Sequence, residues 1–127
     1  QYQGGTGDGF VVKIANNVPY DWTRISGGPD GDFIDGLALG PDGDIPFVGG
    51  TEGNLPEEQN SGGWDGVIGK YDPLGNLSRS DLIGSSADDW LQAIAVSSDG
   101  TIATGGFSTG NLAGNEAGDN VDAVLLW

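Results

Sequence analysis

The segment FIDGLALGPDGDIPFVGGTEGNL, from Phe33 to Leu55, decides the fold that we expect for this chain. It contains an apolar run, a Gly-Pro-Asp-Gly turn, a second apolar run and a glycine-rich exit, which is the pattern of a β-hairpin. The segment WLQAIAVSSDGTIATGGFSTGNL, from Trp90 to Leu112, repeats this pattern 57 residues later. The same features in the same order at a fixed interval predict a repeat protein.

The repeat continues along the whole chain without a gap. When the sequence is shifted by 57 positions, 16 of the 70 overlapping residues are identical, and most other apolar positions match apolar ones. The recurring charged residues are Lys13 and Lys70, Asp32 and Asp89, Asp42 and Asp99, and Asp8 with Asp65 and Asp122. The 127 residues therefore hold two periods and the beginning of a third.

Each period contains four predicted strands, and no amphipathic helical pattern interrupts them. The strands are expected at Phe10–Ile14, Tyr20–Ile25, Phe33–Leu39, Ile45–Val48, Trp64–Tyr71, Leu77–Leu82, Trp90–Val96, Ile102–Thr104 and Val121–Trp127. Charged residues in the second and sixth strands predict solvated outer edges. The third and seventh strands are almost continuously apolar, which predicts that they are the most buried. Asp42 and Asp99 are interpreted as turn formers. The predicted fold class is all-β.

The chain also carries a family resemblance. LALGPDGDIPFVGGTEGNL, followed by NSGGWDGVIGKYDPLGNL, resembles the SBBP repeat, a bacterial β-propeller family similar in strand order to NHL blades. The resemblance covers nearly the whole chain and implies four-stranded antiparallel propeller blades. The first turn, Ala15 to Pro19, departs from the family's pattern, so the first repeat is the more diverged one. The family occurs mostly in large bacterial surface or secreted proteins, which implies an extracellular or cell-surface location.

In this scheme the chain is one repeat domain with an unfinished set of blades. Residues 1–31 would form the outer strand pair of an incomplete blade, residues 32–84 a complete blade, and residues 85–127 three strands of a further blade. Because closed propellers contain about 4 to 8 blades, this chain cannot close a ring alone. We expect self-association into a ring or fibre by strand or blade completion, or membership of a longer repeat chain.

Composition narrows the classes of function. Nineteen acidic and four basic residues give a net charge of −15, which disfavours nucleic acid and anionic membrane surfaces as partners. Cysteine, histidine and methionine are absent, which excludes disulfides, thiol chemistry and imidazole catalysis. No apolar stretch reaches the length of a membrane span, so membrane insertion is not expected. The prediction is a non-enzymatic structural or interaction scaffold.

Aspartates in the loops before the third and seventh strands suggest a calcium site. GGPDGDFID is similar to one calcium-binding nonapeptide of the GGxGxDxUx type, and the equivalent loop of the next repeat is also rich in aspartate. The candidate ligands are Asp30, Asp32, Asp35, Asp88 and Asp89. The motif is not tandem and does not match the EF-hand template, which favours the alternative that these aspartates are solvated or cap turns.

Two further features concern aspartates that recur in each copy and one tryptophan. The repeated Asp8, Asp65 and Asp122 each precede a strand, and we interpret them as tying down neighbouring backbone N–H groups rather than as ligands. Trp64 lies beside a long polar connection and is the candidate for stacking on a sugar. The alternative function is therefore a carbohydrate-binding lectin formed by an oligomeric propeller, with glycans as partners.

Overall fold

The computed structural model describes residues 4–14, 21–112 and 122–126, and these residues form nine β-strands. The strands are β1 (Gly9–Lys13), β2 (Trp22–Ser26), β3 (Asp32–Leu37), β4 (Ile45–Thr51), β5 (Asp65–Tyr71), β6 (Leu77–Ile83), β7 (Asp89–Val96), β8 (Ile102–Ser108) and β9 (Asp122–Leu126). The prediction of an all-β chain is confirmed. The expected turn at Ala15 to Pro19 and most of the connection from Asn111 to Asn120 lie outside the described residues.

The nine strands form three antiparallel sheets, in which neighbours along the chain are also neighbours in the sheet. The first sheet contains β1 and β2, the second contains β3, β4, β5 and β6, and the third contains β7, β8 and β9. Tight turns make three of these connections, at Gly43, Gly75 and Gly100, as antiparallel pairing allows, whereas residues 52–64 form a longer connection between β4 and β5. β2 and β6 lie at sheet edges, as their charged residues predicted. Within the described ranges, no helix has the length and apolar character needed to cross a membrane.

The two predicted hairpin turns, before β4 and before β8, are both formed, and each has a glycine where φ is positive. Gly43 and Gly100 have φ angles of 81° and 87°, a left-handed conformation that glycine adopts at little cost. Asp99 stabilises the second turn, because Oδ1 accepts hydrogen bonds from the Ser97 hydroxyl and from the N–H of Thr101. The bond from Ser97, followed by those from Thr101, lowers the pKa of the Asp99 carboxyl to about 2.

The prediction that β3 and β7 are the most buried strands is wrong. All seven residues of β4 are buried, whereas Phe33 and Leu37 of β3 are exposed. β3 and β7 each lie at the edge of a sheet, while β4 lies between β3 and β5. The first sheet covers one face of β4 and the third sheet covers the other. The burial of β4 follows from this central position. A run of apolar residues along one strand does not predict which strand is central.

The contact between the first and second sheets, which we call the first junction, contains the main apolar core. Val11 and Trp22 of the first sheet pack with Ile45, Phe47 and Tyr71 of the second. The ring centroid of Tyr71 lies 5.2 Å from that of Phe47 and 5.7 Å from that of Trp22. β2 is also anchored to the turn between β5 and β6, because the indole N–H of Trp22 donates to the Pro73 carbonyl at 3.1 Å, and Arg24 Nε donates to that of Gly75 at 2.5 Å.

The contact between the second and third sheets, the second junction, depends on glycines that allow close approach. Leu91 of β7 is buried against Gly66 of β5, where an added Cβ would lie 2.8 Å from the Leu91 Cγ. Gly50 of β4 lies beneath the Trp90 ring, because a Cβ added to Gly50 would lie 3.0 Å from Cε2 of that ring. The two sheets are thus packed through small residues on β4 and β5 and large residues on β7.

Candidate functional site

One face of the first sheet is apolar and uncovered. Alternate residues of β1 point to opposite faces, so Val11 lies in the first junction while Phe10 and Val12 point away from it. Phe10 is 64% exposed and Val12 39%, and Ile14, directly after the strand, is 72% exposed. Three large apolar side chains in a row on one face are typical of a surface that another element covers. We call Phe10, Val12 and Ile14 the open face.

The repeat shows what covers the same face in the next copy. The residues 57 positions after the open face are Val67, Gly69 and Tyr71, and all three are buried. Tyr71 packs against Val11 and Trp22 of the first sheet. The face is therefore covered by a preceding sheet in the second copy, and by no described element in the first.

The five predicted calcium ligands form two groups, one in β3 and the loop before it and one at the start of β7 and just before it, and the contacts of four of them are defined. Asp32 accepts the N–H of Gly28 at 2.7 Å and the Thr51 hydroxyl at 2.5 Å. Asp89 accepts the N–H and hydroxyl of Ser85, and Asp88 accepts the N–H of Trp64 at 3.1 Å.

The other two predicted ligands are exposed, as Asp88 is. Asp35 accepts the indole N–H of Trp90, and Asp30 is exposed beside Gly53. In the described parts of the chain, no group of three or more His, Cys, Asp or Glu side chains is placed to hold one metal ion. Four of the five predicted ligands thus serve as hydrogen-bond acceptors for other parts of the chain.

A different grouping of aspartates lies where the sheets meet. In the first junction, a Cβ added to Gly27 would lie 2.8 Å from Asp32 Oδ2 and 2.9 Å from Asp8 Oδ1, so both carboxylates pack against one glycine. The equivalent residues of the second junction are Asp65 and Asp89, which are 1% and 2% exposed. The sequence pattern showed that each of these aspartates recurs after 57 residues, but it did not show that they meet.

The Asp65 carboxylate has one satisfied oxygen and one unsatisfied oxygen. Oδ2 accepts the N–H of Ser61 at 2.8 Å, which confirms that this aspartate ties down neighbouring backbone. Oδ1 is buried without a hydrogen-bond partner, and the same is true of Asp89 Oδ1. Burial raises the pKa of the Asp65 carboxyl, and the charge of Asp89 raises it further, against a lowering effect of the Ser61 N–H. The predicted equivalent in the third copy, Asp122, has no described side chain.

Trp64 belongs to an aromatic cluster. Its ring centroid lies 4.4 Å from that of Trp90 and 5.3 Å from that of Phe33. Trp90 also stacks with Phe107 at 6.3 Å. Trp64 and Trp90 are half-buried, so Trp90 is less enclosed than the predicted burial of its strand implied. Much of the Trp64 ring surface contacts these neighbouring rings.

A cleft of about 710 Å³ lies beside the first junction. Strand β2 and the loop after it line one side, and β4 with the loop that follows it lines the other. Its wall includes Thr51, Asn54 and Tyr71, which combine an apolar surface with hydrogen-bonding groups. Such a volume is in the range of small-molecule sites, which run from about 300 to 1,000 Å³.

The chain was also compared with known proteins. No model of a known protein family matches the sequence, and no curated protein matches it either.

Proposed function

We propose that this chain is a non-enzymatic structural or interaction scaffold that self-associates through its sheet faces. The observation that carries the proposal is the open face, because Phe10, Val12 and Ile14 are exposed while their equivalents 57 residues later are buried by a preceding sheet. A second copy of the chain is the proposed cover. Fully burying a side chain of this size is favourable by about 1.5–3 kcal/mol, so three in a row provide a strong drive to associate.

The proposed units of assembly are SBBP-like propeller blades. The second sheet, with four strands in sequential order, has the composition of one blade, and the first and third sheets have two and three strands. We propose that residues 1–31, 32–84 and 85–127 correspond to an outer strand pair, a complete blade and an incomplete blade. The sheet of another copy then continues the stack and produces either a ring or an open fibre.

An extracellular or cell-surface location fits the same proposal. The chain lacks cysteine and carries a net charge of −15, which favours solubility and repels nucleic acid. A non-enzymatic role fits the absence of histidine and cysteine from the whole sequence, which leaves carboxylates as the only common acid–base groups.

The test is the size of the particle in solution. Light scattering over a range of concentrations, with electron microscopy of the same sample, should show an assembly of several chains in the wild type. The double variant Phe10→Glu with Val12→Glu should raise the dissociation constant of the assembly at least about 100-fold, since it places charges in an apolar contact.

The matched control is Leu74→Glu, which changes an exposed apolar residue in the turn between β5 and β6. This variant should assemble as the wild type does. A wild type that stays monomeric at every concentration would refute the proposal, and so would a double variant that assembles normally. Electron microscopy would distinguish a closed ring from a fibre.

The second candidate function is carbohydrate binding by the assembled propeller. The cleft of about 710 Å³ beside the first junction favours it, because the cleft has apolar walls and polar groups from loop residues. A glycan array with calcium present tests this alternative. Binding that is lost in Asn54→Ala, whose side chain lines the cleft, would support it, and an empty array would remove it.

A further inference from the structure

We propose that Asp65 and Asp89 form a binding site for a divalent cation, with calcium as the favoured ion, at the second junction. The site lies between two sheets of one chain and does not depend on self-association. It also differs from the loop site that the sequence suggested, because Asp65 was not among the predicted ligands.

The backbone brings the two carboxylates together. The N–H of Asp89 donates to the Trp64 carbonyl at 2.7 Å, so the first residue of β7 lies beside the residue that precedes β5. Both side chains are almost fully buried, and each keeps one oxygen, Oδ1, without a hydrogen-bond partner. Unsatisfied buried carboxylate oxygens are costly, and a metal ion is one of the few groups that satisfies two of them at once.

No basic side chain of the chain balances this negative charge. The sequence contains four basic residues, and the described structure engages each of them elsewhere. Lys13 pairs with Asp21, Lys70 with Asp44, and Arg79 with Asp81, while Arg24 donates to carbonyl groups at the first junction. A buried pair of like charges without a counter-ion is strongly unfavourable, and a bound cation provides that counter-ion.

The equivalent of Asp89 at the first junction is Asp32, and these two aspartates differ in their hydrogen bonds. There, the hydroxyl of Thr51 donates to Asp32 Oδ1 at 2.5 Å and satisfies it. Ser108 occupies the position of Thr51 in the next copy, but its hydroxyl donates to the Gly110 carbonyl at 3.0 Å. Asp89 Oδ1 is therefore left for another partner.

The chemistry of the donors favours calcium. Calcium takes about six to eight oxygen ligands in flexible geometry, whereas the nitrogen and sulfur donors that zinc prefers are absent from this chain. The two carboxylates would supply the charge, and main-chain carbonyls and water would have to supply the remaining ligands. A net charge of −15 also concentrates cations around the molecule. A cation bound here links the second sheet to the third.

Terbium luminescence tests the site directly. Tb³⁺ replaces Ca²⁺ at oxygen sites, and Trp64 and Trp90 lie next to the two ligands in sequence, so excitation of tryptophan should produce terbium emission. The emission should saturate with added Tb³⁺, fall when Ca²⁺ is added, and decrease at least about 10-fold in Asp65→Asn and Asp89→Asn. The exposed turn variant Asp99→Asn should keep the wild-type signal.

Thermal unfolding gives a second readout that does not need tryptophan. At a Ca²⁺ concentration of about 100 times the dissociation constant, the Tm of the wild type should rise by roughly 10 °C relative to EDTA, and the Tm of Asp65→Asn should not respond. In EDTA, Asp65→Asn should be at least as stable as the wild type, because it removes a buried charge next to Asp89.

Three results would overturn the proposal. The first is emission that Asp65→Asn and Asp89→Asn retain in full, because terbium would then bind elsewhere. The second is a Tm that is the same in Ca²⁺ and in EDTA. The third is a wild type whose gain of stability on mild acidification is the same in Ca²⁺ as in EDTA, which would show that the pair shares a proton instead.

Discussion

The first and second junctions contain the same two aspartates of the repeat, and the aspartate that begins β3 has different hydrogen bonds from the one that begins β7. Asp32 has donors for both of its carboxylate oxygens, whereas Asp89 has two donors on Oδ2 and none on Oδ1. The apolar packing differs too, since Phe47 and Tyr71 fill the first junction and Leu91 against glycine fills the second. The repeat therefore sets where a buried charge lies, while single neighbouring side chains decide how it is stabilised.

The largest expected effect comes from removing the apolar centre of each junction. Phe47→Ala should lower the free energy of unfolding by about 3–5 kcal/mol, and Leu91→Ala by about 2–5 kcal/mol, because both leave cavities in packed contacts. Since β4 contacts both the first and third sheets, we expect a single transition for each variant in urea, followed by circular dichroism. Two separate transitions would show that the junctions unfold independently, as in an array of repeats.

A smaller effect on stability is expected from removing the hydroxyl groups of Thr51 and Ser108, which occupy equivalent positions at the two junctions. Thr51→Val removes the hydrogen bond to the buried Asp32 carboxylate and should cost about 1.5–3 kcal/mol of unfolding free energy. Ser108→Ala removes only neutral hydrogen bonds with Gly110 and should cost about 1 kcal/mol. Urea titrations of both variants at pH 7 measure the difference. Equal losses would mean that the Asp32 contact is not what distinguishes the first junction.

The smallest expected effect is the dependence of stability on pH. The pKa of Asp65 is raised in the folded chain, so its ionisation costs stability, and this cost should disappear as the pH falls through the raised value toward the ordinary value of 3.8. Asp99 acts in the opposite direction, because its pKa is lowered to about 2 and its contribution is lost as the pH falls from about 4.

Urea unfolding in EDTA between pH 2 and pH 7 resolves the two contributions. Asp65→Asn should remove the gain of stability on acidification, and Asp99→Asn should remove part of the loss at the lowest pH. If Asp65→Asn has the same pH profile as the wild type, then the second junction does not hold a buried charge.

The positions of the strands could be predicted from the sequence, because apolar runs separated by Asp-Gly and Asn-rich turns are local signals. The burial of the strands could not. Phe33 and Leu37 are apolar yet exposed at a sheet edge, while the Gly49-Gly50 pair gives no apolar signal and lies in the most buried strand. Burial depends on which sheet covers which face, and that information is not present in one strand.

The candidate site was predicted in part for a similar reason. The sequence pointed to Asp32 and Asp89 because they lie in aspartate-rich segments. It pointed to Asp65 because an aspartate recurs at that position before a strand in each copy. Their meeting at a junction requires β5 and β7 to start side by side, which is a contact between residues 24 positions apart in different sheets. The interval of 57 residues relates equivalent positions of the repeat and does not report on this contact.

The stacked indoles of Trp64 and Trp90 have an optical consequence. Two indole rings 4.4 Å apart couple their electronic transitions, so the folded chain should show a paired positive and negative band in its circular dichroism spectrum near the tryptophan absorption. Trp64 precedes β5 and Trp90 belongs to β7, so the paired bands exist only while the second and third sheets touch. Trp22 lies at the first junction, where its ring contact is with Tyr71. The chain thus carries its own spectroscopic reporter for the separation of one junction, and it needs no added label.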